Sequence, residues 1–304
     1  MSCEVAVSSA EPRPVLHRSY LYVPGSDPRR VRKALEAGAD AVIIDLEDAV
    51  APSAKPAARE VAAEVLADAA VAAPCDVHVR IDREADGTYR QADLEAAVGR
   101  GLDALRLPKV EDPGAVRDLD ARLARLEEER GMPVGGVALY PTFESALGLV
   151  RTTELLASSA RIVRAAIGTS DLLSDLMAHG DDALATLHAR SELVLRSRAG
   201  RVGPPIDSVH TDLSDESGLV AEAHRARALG FFGKSLIHPR QIAPVHDVFT
   251  PTAAEIEQAE RVIAAAEEAS RQGAGGVELD GEFVDPAVVG RARAVLGMRQ
   301  ESTR

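Results

Sequence analysis

Short apolar runs alternate with longer Ala-rich stretches of helical period from residue 19 to about residue 247. This rhythm limits the possible folds more than any other feature of the chain. Ser19 to Val23 reads as a first strand ending at Pro24-Gly25, followed by a helix over about Pro28 to Ala37. Ala41 to Leu46 is a continuous apolar run with one acidic break, the pattern of a strand buried on both faces. A long helix is expected over Lys55 to Ala72. Further strands are expected at Val77 to Ile81, Ala104 to Leu107, Val137 to Tyr140, Val163 to Ile167 and Lys234 to Ile237, with a weak seventh at Ile206 to Val209. Helical patterns at Asp93 to Val98, Ala115 to Arg130 and Gly218 to Leu229 fill most of the gaps. Strands separated by helical crossovers pair in parallel. Eight such units predict an α/β fold of the (β/α)8 TIM-barrel type rather than an open doubly wound sheet.

The same reading divides the chain. Residues 1–16 form an amino-terminal arm expected to be disordered, 17–250 the barrel, and 251–304 a carboxy-terminal helix and lid segment. In the last part, Thr252 to Ala269 is helical, Gly273 to Gly276 is a hinge, and Val277 to Arg304 is the appended lid. With 304 residues, 46% of them hydrophobic, a large core is possible. Aromatics make up only 3% and Trp is absent, so that core must be built from Ala, Val, Leu and Ile.

The formal net charge of −13 argues against nucleic acid or acidic lipid as a partner. Two cysteines, Cys3 and Cys75, are too few for a disulfide scaffold. Cys75 precedes a strand and is expected to be a packing residue. No segment has the length of a membrane span, and the first 14 residues lack the pattern of a secretory signal. A cytoplasmic enzyme is the expectation.

Polar groups crowd the expected strand ends. Pro24-Gly25-Ser26 ends the first, Asp45-Leu46-Glu47-Asp48 the second, Arg80-Ile81-Asp82 the third and Pro108-Lys109 the fourth. Glu144 closes the fifth, Asp171 follows the sixth after Gly168-Thr169-Ser170, and His238-Pro239 ends the eighth. In a parallel barrel all these ends share one face, where catalysis is built. Glu144 and Asp171 would repel each other there unless a cation joined them. A hard divalent ion with an incomplete protein shell, typically Mg²⁺, meets that need. Arg80 offers a planar fork that matches a carboxylate or an enolate; the alternative is that it only pairs with Asp45 or Glu47. Those two acids are expected to stand behind the metal and orient Arg80. Asp48 and Asp207 are candidates for helix caps, and His238 for a buried histidine bonding a nearby backbone group, with a catalytic role as the alternative.

Other signals carry less. Gly230-Phe231-Phe232-Gly233-Lys234-Ser235 lacks the phosphate-loop spacing and precedes a strand, so it is not a nucleotide loop. His179, His188, His210 and His224 have no mutual metal-ligand spacing. The charge run Glu127 to Arg130 reads as a solvated helix end.

Several motifs in order give the chain a family resemblance. They are Arg18-Ser19-Tyr20-Leu21-Tyr22-Val23-Pro24-Gly25, Asp45-Leu46-Glu47-Asp48-Ala49-Val50, Val79-Arg80-Ile81, Leu107-Pro108-Lys109-Val110 and Glu144-Ser145-Ala146-Leu147-Gly148. Gly230-Phe231-Phe232-Gly233-Lys234 and Ile237-His238-Pro239-Arg240-Gln241-Ile242 complete the set. Over roughly residues 17 to 290 the chain resembles the citrate lyase beta-subunit-like branch of the HpcH/HpaI aldolase superfamily, which includes malyl-, citramalyl- and citryl-CoA lyases.

The resemblance implies a TIM barrel holding Mg²⁺ or Mn²⁺ through Glu144 and Asp171, with Arg80 on the substrate carbonyl or carboxylate. It implies that the first-strand motif, with Arg18 and Pro24, lies near a bound thioester. Val284-Asp285-Pro286 resembles the family's carboxy-terminal motif, whose aspartate reaches a neighbouring subunit's active site and transfers protons; that role falls to Asp285. A homotrimer or hexamer is implied as well. Three positions depart from the family pattern. Ser170 stands where the G-A-E-D-L motif carries an acid, Asp82 where many relatives have asparagine, and Ser145 where threonine is usual.

The expected chemistry is reversible carbon–carbon cleavage of a small β-hydroxy acyl thioester into an acyl thioester and a small carboxylic or keto acid. The rivals are an aldolase acting on free hydroxy or keto acids and a catalytically silent subunit of a larger lyase.

Overall fold

The computed structural model describes residues 16–180 and 182–301; the arm at 1–15, Cys3 within it, and 302–304 lie outside these. Seven parallel strands form one curved sheet: β1 (Ser19–Pro24), β2 (Ala41–Asp45), β3 (Asp76–Arg80), β4 (Ala104–Leu107), β5 (Ala138–Phe143), β6 (Ala166–Ile167) and β7 (Lys234–Leu236), in the order β6-β5-β4-β3-β2-β1-β7. The missing eighth position is filled by Ile206 and Asp207. Ile206 bridges Ala166 of β6, and Asp207 bridges Lys234 of β7, both in parallel. Amide bonds from Ile167 to Ile206 O (3.1 Å) and from Ser235 to Asp207 O (2.9 Å) carry the ladder across, and the ring closes as a TIM barrel.

The strand sequences explain the layering. Side chains alternate between two faces of a strand. Tyr20, Ala41, Ile43, Ala104, Tyr140, Ala166 and Ile206 point inward and form a small lumen cluster. Leu21, Val23, Val42, Ile44, Val77, Val79, Leu105 and Leu139 point outward and join the covering helices in the main core. β2 is apolar on both faces for that reason, and all five of its residues are buried. At about 1.5–3 kcal/mol for each large aliphatic side chain buried, this outer layer is the principal source of stability.

The lumen is less apolar than the outer layer. Arg106 and Arg164 are fully buried in it. Arg106 stacks between the rings of Tyr20 and Tyr140, 4.3 and 4.6 Å from their centroids. Burial, then the nearby Arg106 charge, pushes the His78 imidazole well below its usual range.

Helix boundaries follow local chemistry. Asp27 caps the helix Pro28–Leu35 and Asp112 the helix Pro113–Glu129, each with proline in the first turn. Thr252 and Glu255 form a capping box at the start of the helix Ala253–Arg271.

Beyond that helix lie an antiparallel hairpin of β8 (Val277–Leu279) and β9 (Glu282–Val284) and the helix Pro286–Glu301. This extension has its own apolar cluster of Ala259, Val262, Val284, Val289 and Ala292. The expected hinge is partly a packing contact: a Cβ on Gly276 would sit 2.6 Å from the Phe283 ring.

Other expectations shift as well. Glu127 is not on a solvated helix end. It is fully buried, accepts from the Gly135 and Val137 amides, and pairs with Arg161 at 2.6 Å. Cys75 packs against the core, and burial pushes its thiol up to about 11. None of the helices among the described residues is long and apolar enough to cross a membrane.

Candidate active site

At the carboxyl ends of the strands lies a cavity of about 230 Å³. Tyr22, Asp45, Arg80, Thr142, Glu144 and Asp171 are among the residues that line it. Glu144 follows β5 directly. It is 6% exposed, and its Oε1 accepts the Lys109 amide at 2.6 Å. Lys109 reaches this position through a left-handed backbone, φ +48°, just after β4. Gly168 makes room on the other side. A Cβ there would meet Glu144 Oε2 at 2.4 Å, so a larger residue would displace the carboxylate.

Asp171 stands in the first turn of the helix Thr169–Asp175. The two acids belong to different strand–helix units, yet they share one cavity, and Glu144 feels the charge of Asp171. Burial, and then the negative charges of Asp171 and Glu47, push the Glu144 carboxyl up to about 8, against the opposing pull of the Lys109 amide and Arg80.

Arg80, at the end of β3, is held from two sides. Its Nε and Nη2 donate to Asp45 at 2.7 and 2.5 Å, and its Nη1 lies 2.9 Å from Glu47 Oε2. The pairing with Asp45 and Glu47 weighed above as an alternative is therefore present, and Arg80 also lines the cavity. A guanidinium has five N–H donors, and these contacts engage three, leaving two.

Asp45 is occupied elsewhere as well, accepting the Glu47 and Ala49 amides at 2.9 and 3.2 Å. Glu47 is 3% exposed and is joined at 2.8 Å by Lys109 Nζ. Even so, burial leaves its carboxyl raised above the ordinary value, with the Arg80 and Lys109 cations working against that rise. Lys109 thus serves two acids, Glu144 through its amide and Glu47 through its ammonium. In the sequence it stood out as a polar residue after a strand and as part of the motif Leu107 to Val110, without a role.

The structure separates other candidates from the cavity. Arg18 precedes β1, so it lies at the opposite end of the barrel from Pro24. Its Nε and Nη2 clasp Asp40 at 2.9 and 2.7 Å, and its Nη1 donates to Thr250 at 3.1 Å. It is a structural pair at the amino-terminal face, which corrects the expectation that it binds substrate. Pro24 does lie at the mouth, in a neighbouring depression of about 590 Å³ with Ser26, Asp27, Arg29 and Arg30. Asp207 is neither a cap nor a mouth residue. It points outward between strand and helices, fully buried, with Lys234 Nζ at 2.7 Å and Arg190 also paired to it. Asp48 is an exposed partner of Lys109. His238 accepts the Arg240 amide at 3.2 Å, the backbone role expected of it. Asp285 caps the helix Pro286–Glu301, its Oδ1 accepting the Ala287 and Val288 amides at 2.9 Å.

The donor set suits a hard divalent cation. Among the described residues no three His, Cys, Asp or Glu side chains converge as a complete metal cage. Two carboxylates do meet, one of them in a setting that disfavours its charge unless a cation is supplied. Thr142 Oγ1 lacks a protein hydrogen-bond partner, and Thr142 lines the same cavity. Magnesium tolerates such a sparse set because it keeps waters and takes substrate oxygens as ligands.

Comparison with known proteins agrees with this barrel. The chain belongs to the family described as HpcH/HpaI aldolase/citrate lyase, whose pattern matches residues 18–239. It is 38% identical over 282 residues to the citrate lyase subunit beta of Leuconostoc mesenteroides subsp. cremoris, covering 92% of each chain. It is 36% identical over 283 residues to a (3S)-malyl-CoA thioesterase of Cereibacter sphaeroides, covering 92% of this chain and 93% of that one. Among solved structures, CitE from Mycobacterium tuberculosis, in complex with magnesium, acetoacetate and coenzyme A, superimposes with a TM-score of 0.73 at 31% identity. That match covers 94% of this chain and 98% of the other.

Proposed function

We propose that the protein is a magnesium-dependent carbon–carbon lyase that reversibly cleaves a small β-hydroxy acyl thioester, with manganese as an alternative ion. The observation that carries this reading is the meeting of Glu144 and Asp171 in one cavity with Arg80. The complex of the Mycobacterium tuberculosis relative with magnesium, acetoacetate and coenzyme A supports the ligand class.

When bound, the ion supplies Lewis-acid polarisation of the acid's oxygens and a template for them. Glu144 and Asp171 hold it. Arg80, locked by Asp45 and Glu47, turns its two remaining N–H groups to the substrate carboxylate. Pro24, Arg29 and Arg30 receive the phosphate-bearing end of the thioester carrier. Asp285 is assigned the proton transfers, delivered from a neighbouring subunit of a homotrimer or hexamer.

In cleavage, the hydroxyl proton passes to the base. The oxygen's electrons form the carbonyl of the released acid, and the carbon–carbon bond breaks. Its electron pair moves onto the α-carbon of the acyl thioester as an enolate, which a proton then quenches. No further reactant is consumed.

Incubation of the protein and Mg²⁺ with malyl-, citramalyl- and citryl-CoA, followed by mass spectrometry, tests the reading. Expected is an acyl-CoA together with an oxo acid, lost in excess chelator. Cleavage of free acids alone, or of nothing in the panel, would overturn it. A second reading, thioester hydrolysis, draws on the (3S)-malyl-CoA thioesterase relative; release of free CoA without an oxo acid would favour it.

A further inference from the structure

Carbon–carbon cleavage drives an electron pair into the acyl thioester. The oxygen that takes up this charge needs a hydrogen-bond donor aimed at it. Glu144 and Asp171 occupy one side of the cavity, at the ends of the fifth and sixth units, and Arg80 ends β3. The carrier arm leaves on another side. Ala49, which follows β2, lines both the cavity and the depression of Pro24, Arg29 and Arg30. The thioester carbonyl, between the carrier and the reacting carbons, therefore lies over β1 and β2.

Tyr22, Thr142, Ser170, Ser208 and Ser235 bring hydroxyls to the cavity wall. Thr142 lies on β5 two residues before Glu144, and Ser170 directly precedes Asp171, so both stand on the side of the two carboxylates. Ser208 is engaged by the Thr169 amide and hydroxyl at 3.0 and 2.9 Å. Ser235 is in register with Tyr20, one inward layer deeper than Tyr22. Tyr22 is left, on the carrier side. It leaves β1 two residues below Pro24, which is in register with Asp45 and through it with Arg80. The Arg80 guanidinium carbon lies 5.1 Å from the centroid of its ring. Among the described residues no group forms a hydrogen bond with its hydroxyl. Burial outweighs the opposing Arg106 and Arg80 charges and holds the phenol above its ordinary range, so it keeps its proton and can donate.

We infer that Tyr22 is a catalytic residue whose phenol O–H donates to the thioester carbonyl oxygen as it becomes the enolate oxygen. This rests on the lyase reading above. The O–H bond itself is not broken. In cleavage the electron pair of the carbon–carbon bond passes to the α-carbon and is shared with the thioester oxygen. The hydrogen bond from Tyr22 tightens as charge grows on that oxygen. The proton that quenches the α-carbon comes from the acid already assigned, Asp285. In condensation the same hydrogen bond holds the enolate oxygen while the α-carbon attacks the oxo acid. A neutral donor suits this place, because it stabilises the oxygen without adding a positive charge beside a cation site. The ring lying against Arg80 gives the phenol a fixed direction, as a preorganised donor requires.

Tyr22→Phe removes the hydroxyl and keeps the ring against Arg80. Its kcat on the CoA ester that the wild-type protein cleaves is expected to fall about a hundredfold, the scale of one lost oxyanion donor. KM should stay unchanged, because the interaction is made in the transition state. Calorimetric binding of the released oxo acid with Mg²⁺ should be the same in both proteins. A CoA thioether ending in a carboxylate, whose charged oxygen stands in for the enolate oxygen, gives a readout that needs no turnover. It should bind Tyr22→Phe about a hundredfold more weakly than wild type, matching the loss in kcat, while acetyl-CoA binds both alike. A kcat within about threefold of wild type, well below the cost of a lost oxyanion donor, would overturn the inference and leave the lyase reading intact. A parallel loss of oxo-acid affinity would overturn it too, since the tyrosine would then act only through Arg80. No cleavage of any CoA ester by the wild-type protein would remove both readings.

Discussion

Two carboxylates, Asp207 and Glu144, are both withdrawn from water, and the barrel treats them in opposite ways. Asp207 lies behind the strands, clasped by Lys234 and Arg190. Those cations hold its carboxyl below the ordinary range in spite of complete burial. Glu144 lies at the mouth with one amide donor close by and Asp171 near enough to repel it, and it is pushed up to about 8. Burial raises both. Between these two, the pair of cations built around Asp207 decides the sign. The first acid is a finished structural pair. The second is left incomplete by the protein, as a site must be if its counter-charge arrives from solution.

The sharpest way to break this contrast is to remove the charge at each place. Glu144→Gln or Asp171→Asn is expected to lower kcat/KM by about a thousandfold or more, since several kcal/mol of charge stabilisation go with the ion. Thermal unfolding should still show a folded barrel. Activity within tenfold of wild type would unseat the metal assignment. Lys234→Met should act on the other property. Leaving Asp207 with a buried, less compensated charge is expected to lower unfolding stability by about 3–5 kcal/mol in urea titration, and a loss under 1 kcal/mol would mean the pair is not the finished unit described.

Between these extremes, Arg80→Lys keeps a charge but gives up the fork. A loss of about 10- to 100-fold in kcat/KM is expected, matching one or two charge-assisted hydrogen bonds. An unchanged value would reduce Arg80 to a neutraliser of Asp45 and Glu47.

The smallest effect concerns protons. Glu144 is raised in the metal-free protein, so between about pH 4.5 and 8 the folded state holds a proton that the unfolded chain has released. Stability without metal should therefore fall as pH rises through about 8. Magnesium binding should release that proton, giving an apparent affinity that drops about tenfold per pH unit below 8. Glu144→Gln should abolish both trends, and a pH-independent affinity in the wild-type protein would contradict the assignment.

Much of the barrel was legible because its strands are apolar on both faces and punctuated by polar ends. β1 to β4 fall within one residue of where the pattern puts them. The seventh unit was faint for a physical reason. Only Ile206 and Asp207 make bridges, and Asp207 looks like a surface residue until Lys234, 27 positions away, is folded against it.

Arg18 misled because a motif continuous along a strand spans both ends of it. Six residues at about 3.3 Å each put nearly 20 Å between the barrel's two faces. Glu127 misled because a charge run on a helix does not reveal that one member turns inward to Arg161. The double role of Lys109 depends on a positive φ that its sequence neighbours do not announce.

The narrow closure at Ile206 and Asp207 has a further consequence. Few cross-strand bonds hold that join, so parting the ring there breaks less hydrogen bonding than parting it at β1 and β2, where five residue pairs are in register. The same join supplies Ser208 and Val209 to the catalytic wall. The fold has set a loose stave beside the cavity proposed to take ligands, so breathing motions there would alter the shape of the mouth first.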